Sequence, residues 1–565
     1  MLVSLTKQAQ VVIFLLAIST ISDCYGYHQH SKRQEESLIV QTTKGRVIGK
    51  NDQTETGVKY FSFQGIPYAK PPLNQLRFEP PQEFSWNDEL WNATYERNEC
   101  VQAFPGFYIP ISGREDCLYL NVYTRSKSNK NLKPVMVWIH GGSYVFGSGN
   151  KNYYSPEYFL DKDMVVVNIN YRLGVFGFLS TGDEIIPGNM GLKDTIFALK
   201  WIKENIEFFG GNPSEVTIMG ESSGAGSVGY LIQSKSAQGL FKRGILQSWT
   251  PINGLVRPEK MRNALKLLGE FFGVNGNNQE IINKLKTVDF SSLHLYSIVL
   301  TEKLRADLFD ESLFGAVLEK ETSKLGVITQ PPYEQVQKCN FESVPIIIGF
   351  NSEESLTYED VLDNQRYTYI NFDVNPETLV AKDMDVKGRC DPKETGKKIK
   401  DHYAGRDGSF VNEKQPIIRY VSDILFMKTA VEYSKLYSKC NQNVYLYRFS
   451  YVRNKTATGA GHTDELRYLF PTYPLVTIRE PLTVEEQKVS KNIVSLWSNF
   501  MKTGNPTPTQ SEFNINWNKS TAKNQHEYLD IDIELAKNNL NGAPFKNDFD
   551  LWENLYKTCG KVKGI

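Results

Sequence analysis

Continuous apolar runs along the chain alternate with stretches whose apolar residues recur at helical spacing. Lys133-Pro134-Val135-Met136-Val137-Trp138-Ile139, Met164 to Ile169 and Val216 to Met219 read as buried strands. Val344 to Gly349 and Asn443 to Phe449 read the same way. Strands with few polar residues are covered on both faces, which predicts a parallel sheet with helices on each side. Between the second and third runs, Leu192, Ile196, Leu199, Ile202 and Ile206 recur every three or four residues, which predicts a helix with one apolar face. A strand–helix–strand unit of this kind connects right-handedly. Near the start, Gly45–Gly49 and Lys59–Phe63 read as a small antiparallel flap. The expected fold class is α/β: a large, mostly parallel central sheet with helices on both faces and an N-terminal antiparallel flap.

No Pro- or Ser-rich linker and no internal repeat divides the chain, so residues 27–565 are expected to form one domain. The first 26 residues read as a signal peptide. Lys7 precedes the apolar run Val11–Ile18, and small residues follow, with cleavage expected after Gly26. That run is too short for a bilayer, which needs roughly 20 apolar residues. No later stretch is long and apolar enough to span, and the chain ends without a hydrophobic tail. The expected location is therefore extracellular. Cysteine usage agrees with export. Of seven cysteines, Cys24 leaves with the signal. Cys100, Cys117, Cys339, Cys390, Cys440 and Cys559 remain, an even set suited to disulfides. There is no Cys-x-x-Cys and no Cys/His cluster at zinc spacing, so no metal is expected. Glycan acceptor sequons stand at Asn92, Asn454 and Asn518. Lys plus Arg and Asp plus Glu both number 64, a balance that removes the electrostatic case for a nucleic-acid or anionic-membrane partner.

The chemistry enters directly after the third strand, at Gly220-Glu221-Ser222-Ser223-Gly224. Gly-x-Ser-x-Gly between a strand and a helix is a sharp turn that lifts a serine hydroxyl above the sheet edge. A serine needs a base, held in turn by an acid, and in this arrangement both follow it in the chain. His294, His402, His462 and His526 follow Ser222, while His28, His30 and His140 precede it. His462 lies in Gly459-Ala460-Gly461-His462, a Gly-rich loop after the fifth strand. The acid is expected just past the fourth strand, at Glu353 or Glu354. His140-Gly141-Gly142-Ser143 follows the first strand, where a second donor loop for an oxyanion belongs. His140 is expected to be structural.

These motifs resemble the type-B carboxylesterase and cholinesterase family of α/β-hydrolases. The likeness runs from about Gly45 to Leu529. It rests on Phe63-Gln64-Gly65-Ile66-Pro67-Tyr68-Ala69, Glu115-Asp116-Cys117-Leu118-Tyr119-Leu120-Asn121, Asn170-Tyr171-Arg172-Leu173-Gly174 and Gly188-Asn189-Met190-Gly191 leading to the elbow. The general look is that of insect secreted carboxylesterases. The resemblance implies Ser222 as nucleophile, Glu354 as acid and His462 as base. It implies the amides of Gly142, Ser143 and Ser223 as oxyanion hole, and a Cys100–Cys117 disulfide. By the same analogy Arg77 pairs with Glu115 and Arg172 with Asp194. It implies no cofactor, a small-molecule ester as substrate, and an acyl-enzyme on Ser222. Pairing of the other four cysteines and the oligomeric state stay open.

The chain departs from the family pattern at several positions. Ser143 stands for a third Gly, Ser223 for Ala, Thr195 for Gln, Ser355 for Gly and Trp249 for Gly. Trp249 is expected to fill part of the pocket. Gly-Glu-Ser replaces the Gly-Gln-Ser of juvenile hormone esterases, which argues against that assignment, kept as an alternative beside a lipid esterase. The segment between Cys100 and Cys117 has no Trp, only Phe104, Phe107 and Tyr108, so a choline cage is not expected. The rival class is a non-catalytic, cholinesterase-like adhesion protein, and a peptidase on the same fold is a third reading. Filled triad positions argue against the first and the long N-terminal motifs against the second.

Overall fold

A computed structural model describes residues 38–86, 89–103, 111–304, 312–323, 325–358, 366–472 and 481–561. The expected signal peptide, His28, His30 and Phe104, Phe107 and Tyr108 lie outside the described residues. The strands are β1 (Leu38–Thr42), β2 (Gly45–Gln53), β3 (Lys59–Pro67), β4 (Leu90–Asn92), β5 (Tyr119–Thr124), β6 (Lys133–Ile139) and β7 (Val165–Ile169). They continue with β8 (Gly211–Glu221), β9 (Arg243–Gln247), β10 (Ile346–Asn351), β11 (Val444–Phe449), β12 (Tyr528–Ile531) and β13 (Leu535–Asn538). Their spatial order is β1-β2-β3-β5-β7-β6-β8-β9-β10-β11-β12-β13, with β4 beside β2. From β7 through β12 every neighbouring pair is parallel. β1, β2, β3 and β5 pair antiparallel, and β5 joins β7 antiparallel, so the N-terminal strands continue the main sheet.

The sheet has a core on each face, which accounts for its unbroken apolar strands. Along β6, Val135, Val137 and Ile139 face one cluster while Met136 and Trp138 face the other. The two-residue period of a strand sends successive side chains to opposite faces. The first cluster is closed by α1 (Met190–Asn205) and α2 (Ser223–Gln233), through Leu192, Leu199, Ala225 and Val228. Leu192, Ile196, Leu199, Ile202 and Ile206 are all buried, as their spacing predicts. The second cluster is closed by α3 (Val484–Thr503), through Val489, Ile493 and Trp497. Thr483 and Glu486 cap that helix reciprocally and Gly504 ends it in a left-handed conformation. Fully buried side chains of this size each contribute about 1.5–3 kcal/mol. β9 escaped the hydropathy pattern because Arg243, Gly244 and Gln247 leave only Ile245 and Leu246 as its apolar signal.

Candidate functional site

The sheet delivers three side chains to one edge. β8 ends at Glu221, and Ser222 turns the chain into α2 with φ 55° and ψ −129°. A non-glycine residue in this region is strained and persists because its surroundings hold it there. The Ser222 amide donates to the Gln247 carbonyl at 2.8 Å, and its own carbonyl accepts from the Gly226 amide at 3.0 Å. The turn excludes any larger residue at Gly224, where a Cβ would lie 2.1 Å from the Ile139 carbonyl oxygen. Ser222 sits at the start of α2, where free amides and the helix dipole favour negative charge.

β10 ends at Asn351, and the chain turns at once into a short 3-10 helix beginning at Glu354. The Glu354 carboxylate accepts from the Asn351 amide at 2.7 Å and lies 2.7 Å from His462 Nδ1. A backbone bond from the His462 amide to the Glu354 carbonyl, 2.7 Å, fixes the same pair a second time. Glu353 is turned away: its carboxylate accepts from Gln415 at 2.8 Å and from the Thr458 hydroxyl. Geometry thus selects Glu354 as the carboxylate on His462. Ser355 anchors this turn, because its hydroxyl donates to the Ile418 carbonyl at 2.6 Å.

Two further carboxyl groups, given no role from the sequence, complete the surroundings of His462. Glu221 Oε1 lies 3.0 Å from His462 Nε2. Glu465 is buried, accepting from Gln247 at 2.8 Å and from Asn351 at 2.6 Å. The signal for both was proximity in the chain: Glu221 precedes Ser222, and Glu465 stands three residues after His462. Burial works to discharge the imidazole, but the charges of Glu221, Glu354 and Glu465 and the Glu354 hydrogen bond outweigh it, so His462 is pushed up to about 9. Burial pushes Glu221 up to about 8, against the pull of His462, and Glu465 up to about 7. Glu221 and His462 act on each other through their charges across the 3.0 Å contact and titrate as a pair. The direction for His462 is upward, because Glu354 holds Nδ1 in addition.

The expected donor loop follows β6. Gly142 has φ 105°, and a Cβ there would lie 2.2 Å from the Phe146 carbonyl oxygen. Ser143 is exposed and adopts φ 53°, the left-handed conformation for which a glycine is the unstrained choice. The Tyr144 amide donates to the Ser223 hydroxyl at 3.2 Å, tying this loop to the elbow. His140 is fully buried against Tyr171, with ring centroids 4.4 Å apart. Burial holds it down at about 4, so it stays neutral. His294 is buried in a helix, and His402 lies 2.7 Å from Asp548.

The expected ion pairs are present and buried. Arg77 grips Glu115 through two contacts of 2.6 Å, and Arg172 grips Asp194 through two of 2.7 Å. Disulfides join Cys100–Cys117, Cys339–Cys440 and Cys390–Cys559. Asn92 and Asn454 are exposed, whereas Asn518 is half-buried with its amide nitrogen on Glu527 at 3.1 Å. Among the described residues no group of three or more His, Cys, Asp and Glu is arranged to hold a metal ion, and no helix is long and apolar enough to cross a membrane.

Comparison with known proteins places this geometry. The family model "Carboxylesterase family" matches residues 36–552. The chain belongs to the carboxylesterase family. Carboxylic ester hydrolysis is the activity that this membership carries. The chain is 33% identical over 518 residues to juvenile hormone esterase of Tribolium castaneum, covering 85% of each chain. It is 32% identical over 508 residues to a carboxylic ester hydrolase of Bombus ignitus, covering 85% of this chain and 88% of that one. Among solved structures, juvenile hormone esterase from Manduca sexta with OTFP covalently attached superposes with a TM-score of 0.80 at 28% identity, covering 92% of this chain and all of the other. The α/β-hydrolase fold expected from the sequence is the fold of these esterases.

Proposed function

We propose that the protein is a secreted serine esterase working through an acyl-enzyme on Ser222. The observation that carries this reading is the Glu354–His462 pair at 2.7 Å beside the strained elbow of Ser222. His462 removes the Ser222 proton as the hydroxyl oxygen attacks the ester carbonyl carbon. The carbonyl oxygen takes the negative charge and is met by the amides of Gly142, Ser143 and Ser223. Collapse breaks the bond to the alcohol oxygen, which receives its proton from His462. Water, deprotonated by His462, then attacks the acyl carbon and releases the carboxylate and Ser222. Glu354 holds the imidazole ring in place through both proton transfers. The covalent attachment of OTFP to the Manduca sexta relative is consistent with a covalent route.

Three disulfides support export, and Asn92 and Asn454 are the sequons whose exposure suits a glycan. Labelling with a fluorophosphonate probe tests the mechanism. Ser222 is expected to carry the label, and an unlabelled or differently labelled folded protein overturns the assignment. A juvenile hormone esterase reading draws support from the two relatives of that name. The Gly220-Glu221-Ser222 elbow opposes it, and the relative turnover of juvenile hormone and simple aryl esters decides between them.

A further inference from the structure

Trp249 stands where the chain leaves β9, immediately after Ser248, which takes φ 58°. Its half-buried indole crosses α2 one turn beyond Ser222. A Cβ on Gly226 would lie 2.9 Å from Trp249 Cδ1 and 2.9 Å from the Tyr144 hydroxyl. The indole meets Phe426 edge-on with ring centroids 5.5 Å apart, and Phe426 lies 4.9 Å from the His462 ring. Phe426 belongs to a π-helical turn, Asp423–Met427, between two α-helical segments. Such turns insert one residue and re-aim the side chains around it. Tyr144, Trp249, Phe426 and His462 therefore form a wall running from the donor loop to the base.

We propose that Trp249 sets the acyl size the enzyme accepts, restricting it to short acyl groups. The proposal rests on the acyl-enzyme reading above. A carbonyl carbon bound to the Ser222 oxygen carries three other groups. Its oxygen belongs in the donor loop, and the alcohol oxygen must face His462 to be protonated. The acyl chain takes the remaining direction. Phe426 lies directly against the imidazole and so borders the alcohol side, whereas Trp249 is one ring further from the base and meets α2 at Gly226, which assigns it to the acyl side. The indole fills space that a glycine would leave to the chain of an acyl group. An apolar pocket discriminates steeply against methylenes it cannot seat.

The test is kcat/KM for p-nitrophenyl esters from acetate to octanoate, in the wild type and in Trp249→Gly and Trp249→Leu. Wild-type kcat/KM is expected to fall about tenfold or more between butanoate and octanoate. Both variants are expected to raise the octanoate-to-acetate ratio about tenfold. A parallel series of acetates with larger alcohols should keep its wild-type ranking. An unchanged acyl ratio in a folded variant, or a shift confined to the alcohol series, overturns the proposal. Should neither variant fold, the wild-type profile decides, because a flat profile through octanoate is incompatible with an acyl stop. Absence of both acetate turnover and fluorophosphonate labelling in the wild type sinks the hydrolase reading and this one with it. A flat profile in an active, labelled enzyme sinks this one alone.

Discussion

His462 is held between two glutamates, Glu354 at 2.7 Å from Nδ1 and Glu221 at 3.0 Å from Nε2. In the proposed mechanism Nε2 is the atom that accepts the Ser222 proton, so a carboxyl group on it has a direct kinetic consequence. The charges of Glu221 and Glu354 push His462 upward despite its burial, to about 9. Unperturbed histidine titrates near ~6.5, and opposing effects of burial and Glu354 alone suggest a limb around 6 to 7. The neighbour at Nε2 moves that expectation up. The base works only when neutral, so kcat/KM for an aryl ester should rise with pH along a limb lying above 7. Glu221→Gln removes one charge from Nε2 and should move the limb down by about one pH unit, equivalent to about 1.4 kcal/mol. A pH–rate profile with chemistry rate-limiting checks this, and superimposable limbs would refute the role of Glu221.

The same raised titration has a signature in stability. A group that binds its proton more tightly folded than unfolded stabilises the fold fully below its unfolded value near ~6.5. That contribution fades as pH climbs through the folded value of about 9. His462→Gln should therefore flatten the fall in thermal stability between pH 7 and 9 relative to the wild type. Identical slopes for the two proteins would show that His462 does not retain its proton in the fold.

Ser222→Ala and His462→Ala should each lower kcat for p-nitrophenyl acetate by roughly 10⁵-fold or more, and the double variant should lose no more than either. The members of a triad act as a unit, so removing one idles the rest. Folded protein is verified by its thermal transition. Additive losses in the double variant would mean that Ser222 and His462 work in separate steps.

How far the sequence discloses this site depends on whether each signal is local. The five long apolar runs became β6, β7, β8, β10 and β11 because both faces of a parallel sheet are dry, and dryness is written in consecutive residues. β9 is equally buried but short and bounded by polar residues whose partners come from afar: Arg243 pairs with Glu215, and Gln247 with Glu465. Ser222 was legible because an elbow needs glycines at fixed offsets. Residue types alone left Glu353 and Glu354 equivalent, and the difference is one of direction at the end of β10. Glu221 reaches His462 from the distant end of β8 and Glu465 from the turn just after that histidine, and no periodicity in the sequence records either contact. Ser355, a departure from the family pattern, proves to bond helix residues Ile418 and Ser422, a contact visible only in three dimensions.

Arg172 and Asp194 test the support beneath the site. Both side chains are fully buried, and Arg172 also donates to the Glu79 carbonyl at 2.8 Å. Desolvating two charges offsets much of their attraction, so the intact pair adds little net stability. Removing one partner is different, because it strands a charge away from water. Asp194→Ala should destabilise the protein by about 3–5 kcal/mol, seen as a lowered unfolding midpoint or loss of soluble expression. Arg172→Met combined with Asp194→Leu should be more stable than Asp194→Ala. A double variant worse than the single one would show that the pair is itself a large net stabiliser.

Ser223 tests the link between elbow and donor loop. Where the family usually has Ala, this chain has a hydroxyl that accepts the Tyr144 amide at 3.2 Å. The next residue back, Ser143, holds a left-handed conformation that a glycine would adopt without strain. Ser143 and Ser223 thus depart from the pattern together, and the hydrogen bond offsets part of the strain of the loop. Ser223→Ala keeps the Ser223 amide in the proposed hole but leaves the buried Tyr144 amide without its acceptor. A stranded buried donor costs about 1–3 kcal/mol. The loss should appear mainly in kcat, because a displaced donor loop meets the oxyanion less well than it meets the uncharged ester. A fall of about tenfold in kcat with KM little changed is the expected result. Adding Ser143→Gly to Ser223→Ala should recover part of the loss by relaxing the loop. A wild-type kcat in Ser223→Ala, or no recovery in the double variant, would show that the loop is positioned independently of that hydroxyl.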